Sequence, residues 1–473
     1  VMIEDGGPRA DVATRPSIPH QRAGSRRRYV AQPQAPRRGT VLRTALLAAL
    51  AVLLIAPASA IAFVTVRHER AAIMAGQGLA GAAGHDAAGR PNARNGGVQS
   101  GPPDATPGAR PASLDGLVRQ ALQDQAAALL AGDRDGFLRQ VDPGAGGLRD
   151  DLARRFGSLQ QLHVKVWQPT VEGKTKADAG GTASATVMIK YCFVVPSCDP
   201  MSLEAPTRWK VAGAAVTLLE FGTSKDLGPR PWEVSDLRTA VGDRVVMSTT
   251  AKYASRLPSM LAAAEKAAAL TDTFARWGAP PARYVVYLAG PDEWSSWYGI
   301  RQEAWVAGFA LPLTASATEI VLNAARVDTR QTLDVLRHEF THVVTLAGVE
   351  KAYDHTWWLV EGIAEYVRVK GGGKPFDGLG DVRTYVRSGH WKGEVALDDP
   401  DAGATTADVS GRYGVAYLSL QHLADRFGED RLLDFFDYAA RQGLPLDAAA
   451  QKAFSMGWTD VESDCARYVR GRI

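Results

Sequence analysis

Two histidines four positions apart flank a glutamate in Leu336-Arg337-His338-Glu339-Phe340-Thr341-His342. Leu336, Phe340, Val343, Val344 and Leu346 recur with helical period, and neither Gly nor Pro interrupts them. Positions four apart share one face of a helix, about 6 Å apart along its axis. Two imidazoles so placed grip one small cation at about 2.0–2.1 Å each. Glu339 is turned round the same helix, close enough to act as a base on water at that cation without binding it.

Two histidines leave zinc underbound, because catalytic sites use three protein ligands. A metzincin arrangement would require Gly at 345 and His at 348, where this chain has Thr345 and Gly348. The remaining source is a carboxylate from a second helix. The period of Trp358–Val369 predicts such a helix, and eighteen residues separate His342 from Glu361 on it. Glu365 stands one turn further, placed to accept the second N–H of a ligating histidine and so fix its tautomer. Gly362 and Ala364 are small, which predicts close approach of the second helix to the first.

His338-Glu339-Phe340-Thr341-His342 followed by Glu361-Gly362-Ile363-Ala364-Glu365 resembles the gluzincin zinc metallopeptidases, the thermolysin-like and M1-aminopeptidase-like group. The run Trp358-Leu359-Val360-Glu361-Gly362-Ile363-Ala364-Glu365-Tyr366 is most similar to peptidase MA-like proteins of bacteria. The resemblance implies an α+β, thermolysin-like catalytic domain over residues 245–473 and one Zn2+ held by His338, His342 and Glu361. It implies Glu339 as general base, Glu365 as the partner of a ligating histidine, and hydrolysis of a peptide or protein substrate. Many gluzincins carry Asn before the ligand glutamate. Val360 stands here, so Asp334 or a backbone carbonyl is expected to orient one histidine instead. The group commonly supplies a Tyr or His to the oxyanion. The resemblance points to Tyr413, expected to open a helix running through Leu420 and Leu423, with Tyr417 second. His355 is expected as a structural histidine, with the cleft wall as its other place. No Gly-Ala-Met-Glu-Asn-type amine-binding motif precedes the helix, which favours endopeptidase action. The competing class is a non-catalytic, zinc-containing cell-surface binding protein. The intact Glu339 argues against it.

The rest of the chain must position that constellation. Arg283–Ala289 and Glu319–Asn323 read as strands, the second either as an edge on which an extended substrate pairs or, equally, as an ordinary edge strand. Tyr253–Trp277 reads as one long Ala-rich helix. Residues 113–228 read as a small α+β domain. Helices from Leu114 precede strands at 162–167, 183–195, 208–211 and 216–221, an order similar to a nuclear-transport-factor-2-like cone. Its partner is not specified by any motif. Residues 71–112 are rich in Gly, Ala and Pro and read as a flexible linker. Thr44 through Val66 carries no charge, so 41–66 is long enough for a transmembrane helix. The arginine-rich, disordered tail at 1–40 places the N-terminus in the cytoplasm and the later domains outside the cell. The alternative is secretion after cleavage near Ala60. The net charge of +3 concentrates its basic excess in that tail, so no nucleic-acid partner is expected. Of three cysteines, Cys192 and Cys198 are close enough to join in an oxidising compartment, leaving Cys465 as a core thiol.

Overall fold

The computed structural model describes residues 113–299, 306–349, 355–372, 376, 378–401 and 404–473. Residues 1–40, 41–66 and 71–112, which the sequence reads as a tail, a membrane helix and a linker, lie outside the described residues. Among the described residues no helix is long and apolar enough to cross a membrane.

Three helices open the described chain: α1 (Leu114–Ala131), α2 (Arg134–Leu138) and α3 (Gly146–Gln161). The Ser113 side chain caps the first helix, and Gly132 ends it with φ 72°, a conformation glycine adopts without steric cost. The second helix starts at once after it, with the Asp133 side chain accepting from the Gly136 N–H as its cap. The third helix was not expected from the sequence. It buries Leu152, Phe156 and Leu159, one helical face. Strands β1 (Val164–Asp178), β2 (Thr182–Phe193), β3 (Met201–Ala212) and β4 (Ala215–Phe221) follow as an antiparallel meander in sequential order. β2 alternates half-exposed and buried residues along most of its length, the mark of a sheet with one covered face.

A short helix, α4 (Pro231–Val234), leads into a second sheet. That sheet begins with β5 (Leu237–Val241), ahead of the start expected at 245, and continues with β6 (Val245–Thr250). The predicted 253–277 helix is broken: a 3-10 stretch at Ala251–Arg256 precedes α5 (Leu257–Thr271), and a second one, Asp272–Phe274, follows. Pro258 sits in the first turn of α5, the position that tolerates its missing N–H. Next come β7 (Tyr284–Ala289), the short α6 (Pro291–Ser296), β8 (Gly308–Pro312) and β9 (Thr318–Asn323). The strand order is β5-β6-β7-β9-β8. β7 pairs in parallel with β6 and β9, while β8 runs antiparallel to β9. The edge expected at 319–323 is therefore an interior strand. The hairpin from β8 to β9 folds β8 onto the outside, and β8 forms the edge.

Both faces of this sheet are covered. Met247, Val286, Leu288, Ile320 and Leu322 pack with the helices that follow. Val246, Val285, Tyr287, Phe309 and Val321 pack with the core of the α1–β4 region. Burial on both sides explains why β7 is apolar at every position from Tyr284 to Ala289. The chain ends in helices α7 (Thr332–Thr345), α8 (Trp357–Lys370), α9 (Leu379–Arg387), α10 (Thr406–Phe427), α11 (Glu429–Phe436), α12 (Leu446–Phe454) and α13 (Trp458–Arg472). Cys192 and Cys198 form a disulfide, and Cys465 is buried.

Candidate metal centre

α7 lies against the sheet through its apolar face, with Phe340 stacked on Tyr284 of β7 at 4.0 Å between ring centroids. That contact turns the opposite face, with His338 and His342, toward α8. Trp358, Leu359 and Ile363 are fully buried and fix the rotation of α8. Glu361 and Glu365 then project toward the histidines. Gly362 does not face α7 as its size suggested. A Cβ there would lie 3.1 Å from Leu420 and 3.3 Å from the Ala416 backbone, so the missing side chain lets α10 approach α8.

His338 Nε2 is 3.1 Å from His342 Nε2 and 3.2 Å from Glu361 Oε2. His342 Nε2 is 3.6 Å from the same carboxylate oxygen. Tetrahedral coordination at 2.0–2.1 Å requires donors about 3.3–3.4 Å apart. The three edges of this triangle bracket that spacing. Among the described residues, His338, His342 and Glu361 are the group whose donors could hold a metal ion. The donor set, two imidazoles and one carboxylate, is that of a catalytic zinc site with a position left for water.

The surroundings support that use. His338 Nδ1 lies 2.8 Å from Glu365 Oε1, so the ring presents Nε2 to the centre. Arg368 donates to both oxygens of Glu365, from Nε at 3.0 and 3.1 Å and from Nη2 at 2.7 Å. Burial opposes charge on His338, but hydrogen bonds to Glu361 and Glu365 outweigh it and raise its pKa to about 10 in the metal-free protein. Burial likewise opposes ionisation of Glu365. Hydrogen bonding from His338 and the charge of Arg368 prevail and lower it to about 2. Glu361 is lowered too, by the two histidines against its burial. Glu339 differs: burial dominates and raises it, with the charges of both histidines only partly compensating. A carboxyl with elevated proton affinity beside a metal centre is suited to taking a proton from water.

Glu339 lies beneath the edge strand. A Cβ on Gly308 would stand 3.3 Å from Glu339 Oε1 and 2.9 Å from Leu322. Glycine at this point lets the backbone of β8 run past the carboxylate. α10 also borders the centre, through Tyr413. Tyr413 lies within that helix, not at its start; Thr405 caps it two turns earlier. Its ring is 6.3 Å from the His338 ring and 5.1 Å from Trp357, edge-on. Tyr417, one turn on, is buried and stacked on Phe376 at 4.9 Å. His355 is exposed, with φ 63°, and pairs with Asp398 at 2.7 Å. Asp334 pairs with Arg337 Nη1 at 3.3 Å.

Asp399 carries no distinguishing signal in the sequence, since Asp398-Asp399-Pro400 has the composition of an ordinary turn. The fold lays this segment between α8 and α10. Asp398 bonds His355 through its carboxylate and Arg412 through its carbonyl, the latter at 3.0 Å. Burial, then the charges of Glu361 and Asp398, raise Asp399 to about 7 against the opposing pull of Arg412.

A family model described as "Peptidase of plants and bacteria" matches residues 310–378, from within β8 to the start of α9. No curated protein matches the chain. Among solved structures, yeast LTA4 hydrolase in complex with bestatin is 15% identical, covers 63% of this chain and gives a TM-score of 0.34. The M1 zinc metallopeptidase from Deinococcus radiodurans is 15% identical, covers 65% and gives 0.30. The chain spans 43% and 62% of those two chains. Superpositions of that quality define neither fold nor function.

Proposed function

We propose that the chain is a zinc-dependent metallopeptidase that hydrolyses internal peptide bonds. The observation that carries this reading is the triangle of 3.1, 3.2 and 3.6 Å among the His338, His342 and Glu361 donors. The buried Glu339 beside it and the peptidase family match over 310–378 support the same reading.

His338, His342 and Glu361 hold the ion, and Glu365 fixes the His338 ring. When bound, zinc supplies Lewis acidity toward water and the scissile carbonyl. Glu339 accepts a proton from the attacking water and returns it to the leaving amine. The substrate backbone extends the sheet along β8, which brings its carbonyl over Glu339. Tyr413, beside the His338 ring, donates to the oxyanion. The chain is anchored by the 41–66 helix with its later domains outside the cell. The Cys192–Cys198 disulfide, a bond of oxidising compartments, supports that placement. The helices-then-meander order of residues 113–228 supports the nuclear-transport-factor-2-like reading of that part.

Elemental analysis of the full chain should give about one zinc per chain, the number a His2Glu site binds. Glu339→Gln should retain that zinc while hydrolysis of a blocked peptide library falls by about 10²–10⁴-fold. Unaltered hydrolysis removes Glu339 from the mechanism. Zinc without hydrolysis in the unsubstituted chain leaves the binding-protein alternative standing. Tyr413→Phe should lower kcat by about 10²-fold at unchanged KM; the same loss from Tyr417→Phe alone would transfer the role to that residue.

A further inference from the structure

Behind the second sheet, on the face away from α7, lies a second polar group with no part in the chemistry above. Tyr191 comes from β2, Arg230 and Trp232 from the connection into the second sheet, Tyr287 from β7 and Glu319 from β9. Tyr298, just after α6, completes it. Tyr191, Arg230, Tyr287 and Glu319 are each 0% exposed, in the middle of an apolar layer built from both regions.

Part of this group is satisfied. The Tyr298 hydroxyl donates to Glu319 Oε2 at 2.5 Å, and Arg230 Nη1 donates to the Leu227 carbonyl at 2.8 Å. The Arg230 guanidinium lies 5.6 Å from the Tyr298 ring centre. Glu233 accepts from the Ser224 N–H, the Ser224 hydroxyl and the Arg230 N–H at 2.7–2.8 Å. The rest is not satisfied. Tyr191 Oη, Tyr287 Oη, Arg230 Nε, Trp232 Nε1 and Glu319 Oε1 make no well-formed hydrogen bond within the protein, although the Tyr191 hydroxyl lies close enough to the Arg230 guanidinium to interact with it. Native interiors rarely bury polar atoms without partners, and five in one cluster, drawn from four segments, is not a packing accident.

The chemistry of these atoms selects what completes them. Arg230 Nε and Trp232 Nε1 need acceptors, Glu319 Oε1 needs a donor, and each tyrosine hydroxyl takes either role. A cation would meet the guanidinium, and an anion would meet the carboxylate. Water donates and accepts, and a buried water typically makes about three such bonds. We propose that Tyr191, Arg230, Tyr287 and Glu319 form a closed hydration site, whose ordered water joins the 113–228 region to the back of the second sheet. The 113–228 region is then a fixed wall of the catalytic unit, tied on by a shared polar seam as well as by apolar burial.

The sign of a stability change tests this. In a hydrated seam each tyrosine hydroxyl holds water, so Tyr287→Phe and Tyr191→Phe each lower the folding equilibrium constant of the full chain by about fivefold. In a dry seam the hydroxyl is an unpaired buried group, and its removal raises the constant. Because the two hydroxyls lie on different regions but share water, their effects in the double variant should depart from additivity. Water relaxation dispersion should show long-lived internal water in the full chain and less of it in the double variant. Stabilisation by either substitution, additive effects, or an unchanged population of long-lived water would each overturn the proposal. These readouts do not involve peptide hydrolysis or zinc, so they stand apart from the reading of the metal centre.

Discussion

Replacing Glu365 by Gln separates two effects that act on the metal site in opposite directions. In the unsubstituted protein Glu365 accepts from His338 Nδ1 at 2.8 Å, raising the basicity of Nε2 toward a metal. The same contact raises the affinity of His338 for a proton, to a pKa of about 10 in the metal-free state. Zinc must displace that proton. The sign follows: below pH 10 the metal-free protein is protonated at His338, and apparent affinity falls tenfold per pH unit. At pH 7, three units below, proton competition costs roughly 10³-fold in apparent affinity. Glu365→Gln removes the charge. Intrinsic zinc affinity should fall by about 10–100-fold, or roughly 1.4–2.8 kcal/mol, as for other partners of ligating histidines. The His338 pKa falls as well, so less competition remains at neutral pH. The ratio of unsubstituted to variant affinity should therefore be small at pH 6.5 and climb steadily toward pH 9. Chelator-competition titrations at half-unit pH steps measure it directly. A ratio independent of pH, or one that falls as pH rises, would refute the coupling between Glu365, the proton and the metal.

Asp399 gives a second pH-dependent expectation, read on chelator-treated protein. Its pKa of about 7 exceeds the unfolded value of roughly 3.9, so the folded state binds more protons between those limits and loses stability as pH rises through them. Asp399→Asn abolishes that loss. Urea unfolding should show no gain near pH 4 and a gain of up to about 4 kcal/mol at pH 8, three units at 1.36 kcal/mol each; equal stability at pH 8 would count against the buried, Glu361-facing placement. Gly362→Val should destabilise the fold by about 1–3 kcal/mol in denaturant midpoint measurements, because its side chain must enter the contact with Leu420 and Ala416. Zinc affinity should drop with it, since α8 carries Glu361. A neutral Gly362→Val would mean that α8 and α10 are not in close contact.

The residues of the centre were legible in the sequence because the information is local. A helix places His338 and His342 on one face whatever surrounds it, and the one-turn spacing of Glu361 and Glu365 does the same on α8. What was illegible depends on which segments meet. The Glu319–Asn323 run looks the same as an edge or an interior strand. Only the hairpin from β8, whose own five residues carry little signal, decides that it lies inside. Gly362 announced a close helix contact without saying with which helix, and the partner proved to be α10. Tyr413 and Tyr417 are equivalent by composition, and the rotation of α10 alone turns the first toward His338 and the second onto Phe376. Asp399 and the Tyr191–Arg230–Tyr287–Glu319 cluster are the extreme case, because each member is unremarkable in its own segment. Their charges acquire meaning only through the desolvation that assembly imposes, and desolvation is a property of the whole packed layer. Local spacing therefore reveals which side chains can converge on one centre, whereas proton affinities and buried polar clusters come from long-range packing.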